Sequence, residues 1–286
     1  MKKILVTGAN GQLGNSLRLE LASDPELEVV YTDVDELDIT NREAVQRFIS
    51  DGKFDIIINC AAYTAVDKAE ANELAAARLN TQAIGYIAET AARHKVKVIH
   101  ISTDYVFSGE HYRPYRENDE PFPQTIYGRT KLEGEAVLTS FCPEAIIIRT
   151  AWLYSQFGNN FVLTMLRRAK ENNELRVVAD QIGTPTFAGD LASIIHTILN
   201  NPKWLPGIYH FTNEGVASWY DFTKSIMRLN NNSRIKVTPI ETREYPTPTR
   251  RPHYSVLGKK KIKQTFNVTI PYWEESLEKC LKLINQ

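Results

Sequence analysis

Tyr127 and Lys131 stand four residues apart in Y-G-R-T-K-L-E-G-E, a stretch with helical spacing, so both side chains leave one face of a helix. Such a pair suits proton transfer to a carbonyl oxygen. A phenol with an ordinary pKa of about 10 is a poor acid at neutral pH, and a neighbouring ammonium favours the phenolate. A positioned acid is typically worth roughly 10²- to 10⁴-fold in rate. Thr103, in the Ser102-Thr103-Asp104 cluster, precedes Tyr127 by 24 residues and would hold the substrate carbonyl oxygen and tune the phenol. Tyr127 would then give up its proton as a nicotinamide hydride reaches the carbonyl carbon. Outside such a site, a strand-end threonine bonds to nearby backbone instead. The chain has thirteen tyrosines, and Tyr220 with Lys224 repeats the spacing. Position separates the pairs: Tyr127 follows a strand end, where open α/β sheets bind ligands, whereas Tyr220 follows Trp219 in what reads as a packed amphipathic helix.

A nicotinamide needs a seat, and the N-terminus offers one. The apolar run Lys3 to Thr7 meets Gly8, Gly11 and Gly14 in G-A-N-G-Q-L-G, ahead of the helical run Leu13, Leu17, Leu21. In a strand, turn and helix of this kind one glycine makes the turn, one lets backbone amides approach a pyrophosphate, and one lets helix pack on strand. The helix N-terminus then faces the anion. The second strand ends at Asp33, nineteen residues after Gly14, where a carboxylate either bonds the adenosine ribose or stands solvated. Taken alone it repels a 2′-phosphate and favours NAD over NADP. Asp38 and Ile39, in the next loop, could contact the adenine, though their spacing does not require it.

These groups demand a scaffold that ends several strands side by side. Short β-branched runs at Lys3 to Thr7, Glu28 to Thr32, Asp55 to Cys60, Lys97 to Ser102 and Glu144 to Thr150 alternate with helical patterns near 12–22, 41–50, 72–93 and 126–140. Strands that are apolar throughout are buried on both faces, as in a parallel sheet covered by helices. Residues 1–150 therefore read as a doubly wound, Rossmann-like α/β domain. Prolines 185, 202, 206, 239, 246, 248 and 252 crowd the second half, where helical patterns persist near 159–172, 188–200, 218–229 and 273–284. Residues 151–286 read mostly as a smaller substrate lobe. Segments near 188–212, including the strand-like run Gly207 to Thr212, are expected to rejoin the first domain.

The bulk numbers narrow the class further. A chain of 286 residues with 43% hydrophobic content supports a sizeable core and one appended lobe. Lys plus Arg equals Asp plus Glu at 34 each, which leaves no overall footprint for nucleic acid or an anionic membrane. Cys60, Cys142 and Cys280 are odd in number and without a C-x-x-C, so they read as reduced thiols rather than disulfides or zinc ligands. No stretch has the length of a signal-peptide core or a membrane span, and a cytoplasmic location is expected.

With these residues in hand, G-x-x-G-x-x-G, S-T-D-Y-V-F (102–107) and Y-x-x-x-K (127–131) resemble the extended short-chain dehydrogenase/reductase family. N-C-A-A-Y-T-A-V-D-K-A-E (59–70), R-T-A-W-L-Y (149–154), G-N-N-F (158–161), D-Q-I-G-T-P-T (180–186) and Y-P-T-P-T-R-R-P-H-Y-S (245–255) resemble its dTDP-4-dehydrorhamnose reductase branch. The likeness runs nearly end to end. It implies reduction of the 4-keto group of a nucleotide sugar by NADPH, with NADH as an alternative. It implies a catalytic set of Thr103, Tyr127 and Lys131, of which Tyr127 and Lys131 would also bind the cofactor. Gly11, Gln12 and Leu13 would lie on the pyrophosphate, Asp38 and Ile39 by the adenine, and Ala62, Tyr63 and Thr64 on the nicotinamide side. Val66, Thr103, Asp104 and Trp152 would face the sugar, and Gln181, Arg250 and Arg251 the nucleotide end, where an Arg pair suits a diphosphate. Asn80 falls where many members place a proton-relay asparagine.

One departure and two rivals accompany the likeness. Some members dimerise around Mg²⁺ held by glutamates, but the matching positions are Ser16, Gly189 and Leu283, so three hard oxygen ligands are missing. No metal, and a monomer or a dimer without a metal bridge, is expected. A non-enzymatic relative, the regulatory subunit of methionine adenosyltransferase, shares the fold; an intact Thr103, Tyr127 and Lys131 argues for the enzyme. Reductases of other nucleotide sugars share the catalytic set. Dehydratases need an acidic pair after the threonine, where this chain has Asp104 and then Tyr105.

Overall fold

Ile4, Leu5 and Val6 are consecutive and all fully buried in β1 (Lys2–Thr7), which requires cover on both faces of the strand. The computed structural model, which describes residues 1–232 and 234–286, supplies that cover with helices on either side. Along the first half run α1 (Gln12–Leu21), β2 (Leu27–Thr32), α2 (Arg42–Gly52), β3 (Ile56–Asn59), α3 (Val66–Ala71), α4 (Glu73–Ala77), α5 (Ala83–His94), β4 (Lys97–Thr103), α6 (Ile126–Phe141) and β5 (Ile146–Thr150). Local chemistry sets several of these starts. Asn41 caps α2 by accepting from Ala44 N, and Thr125 caps α6 by accepting from Gly128 N.

A single helix over 72–93 is not what forms. Asn72 ends α3 and caps α4, and residues Arg78–Gln82 make a π-helical turn before α5. The wide turn carries Asn80, fully buried, whose amide accepts from Tyr63 N at 2.8 Å and donates to Tyr63 O and Thr130 Oγ1. An interior asparagine with every bond made there fixes the strand-end loop that carries Tyr63.

The second half contributes β6 (Leu153–Tyr154), α7 (Phe161–Glu171), β7 (Glu174–Val178), β8 (Ile182–Gly183), β9 (Thr186–Phe187), α8 (Ala188–Asn200), β10 (Gly207–His210), β11 (Ala217–Ser218), α9 (Trp219–Leu229), β12 (Lys236–Ile240), α10 (Lys260–Phe266) and α11 (Trp273–Ile284). The main sheet has the order β10-β5-β4-β3-β1-β2, and every pairing in it is parallel. One face is packed by Leu17 of α1 together with Leu191 and Ile195 of α8, the other by Val45, Ile49, Ile84 and Ile87. A third cluster, built on Tyr154, Val162, Phe222, Ile226, Trp273 and Leu277, lies wholly in the second half.

The periodicity did not reveal β7 and β12, a two-stranded parallel pair in this second region. Pro239 sits inside β12 and is tolerated because that strand has a partner on one side alone. Beneath the main sheet's edge, Arg149 of β5 donates to Glu135 of α6 at 2.9 and 2.6 Å, both side chains being buried. Ser102 adds its hydroxyl to the same carboxylate. The pair ties α6 to the strands that end at the site.

Among the described residues no helix is long and apolar enough to cross a membrane, and no cluster of His, Cys, Asp or Glu could hold a metal. The three cysteines are free thiols. Ser16 spends its hydroxyl on Gln12 O.

Candidate active site

The carboxyl edge of the sheet carries the site. Gly8 takes a φ of +66°, and a Cβ there would stand 2.6 Å from Ala61 N, so the first turn lies directly against the loop after β3. Gly11 begins α1 without any side-chain cap, which leaves the leading amides of that helix free for an acceptor. Asp33, at the end of β2, accepts from Asn10 N at 2.9 Å and Val34 N at 2.8 Å. A cavity of about 890 Å³ runs along this edge. Its wall includes Gly8, Gly11, Gln12, Leu13, Gly14, Asp33, Asp38, Ile39, Ala62, Thr64, Val66, Thr103, Asp104, Tyr127, Lys131 and Trp152. The glycine cradle, the uncapped helix start and the strand-end carboxylate, in one elongated cavity, fit a dinucleotide.

Thr103, Tyr127 and Lys131 all belong to its wall. Thr103 ends β4, donates to Asp104 Oδ1 at 3.0 Å and accepts from Tyr105 N. Tyr127 lies in the first turn of α6, edge-on to Tyr105 with ring centroids 5.4 Å apart. Burial holds its phenol well above the ordinary range, while a hydrogen bond with Thr103 works the other way. Lys131, 2% exposed, donates from Nζ to Ile101 O at 2.7 Å and meets His100 Nε2 at 3.3 Å. Burial brings its ammonium down to about 8, against the pull of Glu135 and Cys60. Lys131, expected from its spacing to supply positive charge near the phenol, spends its Nζ contacts on His100 and Ile101 of β4. Asp104 is buried too, and burial pushes its carboxyl up to about 6 despite the bond from Thr103.

A second cavity, of about 430 Å³, adjoins the first; Tyr105 and Trp152 belong to both walls. Trp152 has a φ of +49°, left-handed backbone that a bulky side chain rarely adopts. It lies flat on Trp219 with centroids 3.5 Å apart, and its indole fills the space where a Cβ on Gly183 would stand, 2.5 Å from Cε2. A strained aromatic held from two sides is a preset wall. Around it stand Phe161, Arg168, Arg176, Gln181, Tyr245 and Arg251. Arg251 donates to Asp67 Oδ2 at 2.6 Å and to Tyr105 Oη at 3.0 Å, and Gln181 donates to Thr242 Oγ1 at 3.0 Å.

Most residues singled out in the sequence thus line one of the two cavities. Arg250 does not: it pairs with Glu110 and is exposed. Tyr63 lies behind the first wall, fixed by Asn80, and Tyr220 packs on the third apolar cluster. Sequence reasoning missed Arg168, Arg176, Tyr245 and Trp219 as wall residues. It gave no role to Gly158, Asn159 and Asn160, which line the first cavity and belong to the quoted G-N-N-F run.

A parallel sheet in this order, a glycine turn at its first strand and a threonine, tyrosine and lysine at its carboxyl edge define an extended short-chain dehydrogenase/reductase. Comparison with known proteins narrows the class. The chain belongs to the family whose model is described as the RmlD substrate binding domain, which matches residues 1–286. It is 43% identical to the dTDP-4-dehydrorhamnose reductase of Aggregatibacter actinomycetemcomitans, over 97% of this chain and 98% of that protein. The crystal structure of a dTDP-4-dehydrorhamnose reductase from Clostridium acetobutylicum superposes with a TM-score of 0.95 at 44% identity, covering 99% of this chain and all (100%) of that one. That of the Bacillus anthracis enzyme, in complex with NADP, gives 0.93 at 39% identity, covering 99% of this chain and 100% of that one.

Proposed function

We propose that the chain reduces the 4-keto group of dTDP-4-dehydro-L-rhamnose to dTDP-L-rhamnose, the last step in making that sugar donor for cell-surface polysaccharide. One observation carries the reading: Thr103, Tyr127 and Lys131 line the long cavity, and Thr103 and Tyr127 touch Tyr105, which with Trp152 also lines the second one. A dinucleotide in the first cavity and a nucleotide sugar in the second would bring their reacting ends to the same three side chains.

NADPH, with NADH also accepted, supplies the hydride when bound. Gly8, Gly11, Gln12, Leu13 and Gly14 hold the pyrophosphate, Asp33, Asp38 and Ile39 the adenosine, and Ala62 and Thr64, backed by Tyr63, the nicotinamide side. Asp33 has both oxygens engaged by backbone amides, which offsets part of its repulsion of a 2′-phosphate. Thr103 and Tyr127 orient the 4-keto oxygen. The Tyr127 hydroxyl gives that oxygen its proton, a step that burial opposes by disfavouring the phenolate and that the hydrogen bond with Thr103 eases. Lys131 is the nearby source of positive charge. Asn80 acts by fixing Tyr63. Val66, Asp104 and Trp152 bound the sugar. Gln181 and Arg251, with Arg168 and Arg176, receive the diphosphate and base, whereas Arg250 serves the surface pair with Glu110.

On this reading residues 1–150 form the dinucleotide half. Residues 151–286 form mostly the substrate half, with α8 and β10 returned to the first. The protein works as a cytoplasmic monomer or as a dimer without a metal bridge. The test is oxidation of NADPH or NADH by purified protein given dTDP-4-dehydro-L-rhamnose, beside Tyr127→Phe. Turnover that collapses in the variant supports the assignment. Protein that binds a dinucleotide yet turns over neither would point to another nucleotide sugar or to a regulatory subunit.

A further inference from the structure

Four polar side chains cross the sheet in one row behind the first cavity. Thr32, Thr7, Asn59 and His100 stand at matched register on β2, β1, β3 and β4, in strands rich in Val and Ile. None is more than 2% exposed. Thr7 Oγ1 donates to Asn59 Oδ1 at 2.6 Å; Asn59 Nδ2 donates to Ala61 O at 3.3 Å and meets His100 Nδ1 at 3.0 Å. On the far side of the ring, Nε2 stands 3.3 Å from Lys131 Nζ. Proton bookkeeping along the row fixes the tautomer. The amide turns its oxygen to Thr7 and its NH₂ to Ala61 and His100, so Nδ1 accepts and Nε2 carries the hydrogen. An Nε2–H can donate to an amine but only repels an ammonium.

We propose that His100 is a positioning residue for the reaction: it aims an Nε2–H, fixed by Asn59 and Thr7, at Lys131 Nζ, so that the ammonium the reaction uses holds its proton less tightly than it would beside an acceptor. This rests on the reading that Lys131 belongs to the catalytic set. The other groups facing Nζ do not decide its state in the same way. The Ile101 carbonyl on β4 accepts from either form. Cys60, beyond β3, is pushed up to about 12 and stays a thiol. Glu135, one turn along α6, favours the ammonium but is held by Arg149 and Ser102. Tyr127, on the same helix, keeps its proton through the neutral range. His100 itself stays neutral, because burial and Lys131 hold it well below the ordinary histidine range.

The test starts with the native protein, labelled at histidine ring nitrogens and lysine Cε, with Lys131→Arg to assign the lysine signal. His100 is expected as the Nε2–H tautomer, unchanged between about pH 6 and 9, while Lys131 titrates near 8. An Nδ1–H tautomer or an imidazolium at neutral pH would overturn the proposal with no variant needed. His100→Gln can turn its amide oxygen to Nζ, so the Lys131 midpoint should rise by about one pH unit. The alkaline limb of kcat/KM should rise with it, and dinucleotide affinity should hold. A folded variant whose Lys131 midpoint stays put also overturns the proposal. A midpoint that moves while the alkaline limb does not leaves the tuning standing and removes Lys131 from the chemistry.

Discussion

The two cavities are built on opposite plans. The first is walled largely by backbone: a turn with Gly8 at positive φ, an uncapped helix start, and strand ends aligned by a parallel sheet. The second is walled by long side chains, with Trp152, Trp219, Arg168, Arg176 and Arg251 arriving from separate parts of the chain. A backbone wall admits one kind of guest, since its shape follows from the sheet and cannot change without it. A side-chain wall can be resized one residue at a time, so the same scaffold serves different sugars. Thr103, Tyr127 and Lys131, the catalytic set proposed above, line the first of the two.

That contrast can be broken by experiment, and the largest effect belongs to the proposed catalytic set. Tyr127→Phe should lower kcat by roughly 10²- to 10⁴-fold while calorimetry finds dinucleotide affinity changed less than about twofold. A parallel loss of affinity would mean that chemistry and cofactor seat are not separable. Gly8→Ala should come next, since the new methyl would meet Ala61 N at 2.6 Å on left-handed backbone. Unfolding in urea should show a loss of about 2–4 kcal/mol, with dinucleotide binding falling alongside. Gly183→Ala tests the other wall. It should displace the Trp152 indole and raise KM for the nucleotide sugar about tenfold, leaving dinucleotide affinity as it was; a change in both would show that the walls are one unit.

The smallest effect is on stability and has a pH signature. Burial pushes the Asp104 carboxyl up to about 6, above its ordinary 3.8, so the fold favours its neutral form. Its contribution is full below the unfolded pKa and is lost as pH rises through 6. Asp104→Asn should therefore gain on the order of 1 kcal/mol at pH 7 and nothing in acid, read from paired denaturation curves. No gain at neutral pH would place that carboxylate in a wetter setting than the rest of the first cavity.

What could be read from the chain follows the same division. Gly8 to Gly14, Asp33 and the pair Tyr127 and Lys131 were legible because each signal is local: a turn, a strand end or one turn of helix places the atoms. The second wall was legible in part: Trp152, Gln181 and Arg251 lie in motifs, whereas Arg168, Arg176 and Tyr245 were not found, because they converge through β7 and β12. The sequence hides that pairing, since Pro239 argues against a strand there. Arg250 and Arg251 are adjacent in sequence, yet their side chains part, one to Glu110 and one to Asp67. Nothing in the motif distinguishes them. The break in the 72–93 helix was equally invisible, as a π-helical turn has no composition of its own and exists here because Asn80 reaches Tyr63.

The place of β10 in the main sheet bears on how the chain is made. When synthesis has delivered residues 1–150, β5 has a partner on one side and an unpaired edge on the other. The strand that closes that edge, Gly207–His210, leaves the ribosome after β6 to β9, α7 and α8 have been translated. Until then the nascent sheet carries an apolar edge of Ile146, Ile147 and Ile148, the sort of surface that captures a second unfinished chain. Truncations that stop short of β10 should consequently aggregate rather than yield a free dinucleotide-binding half.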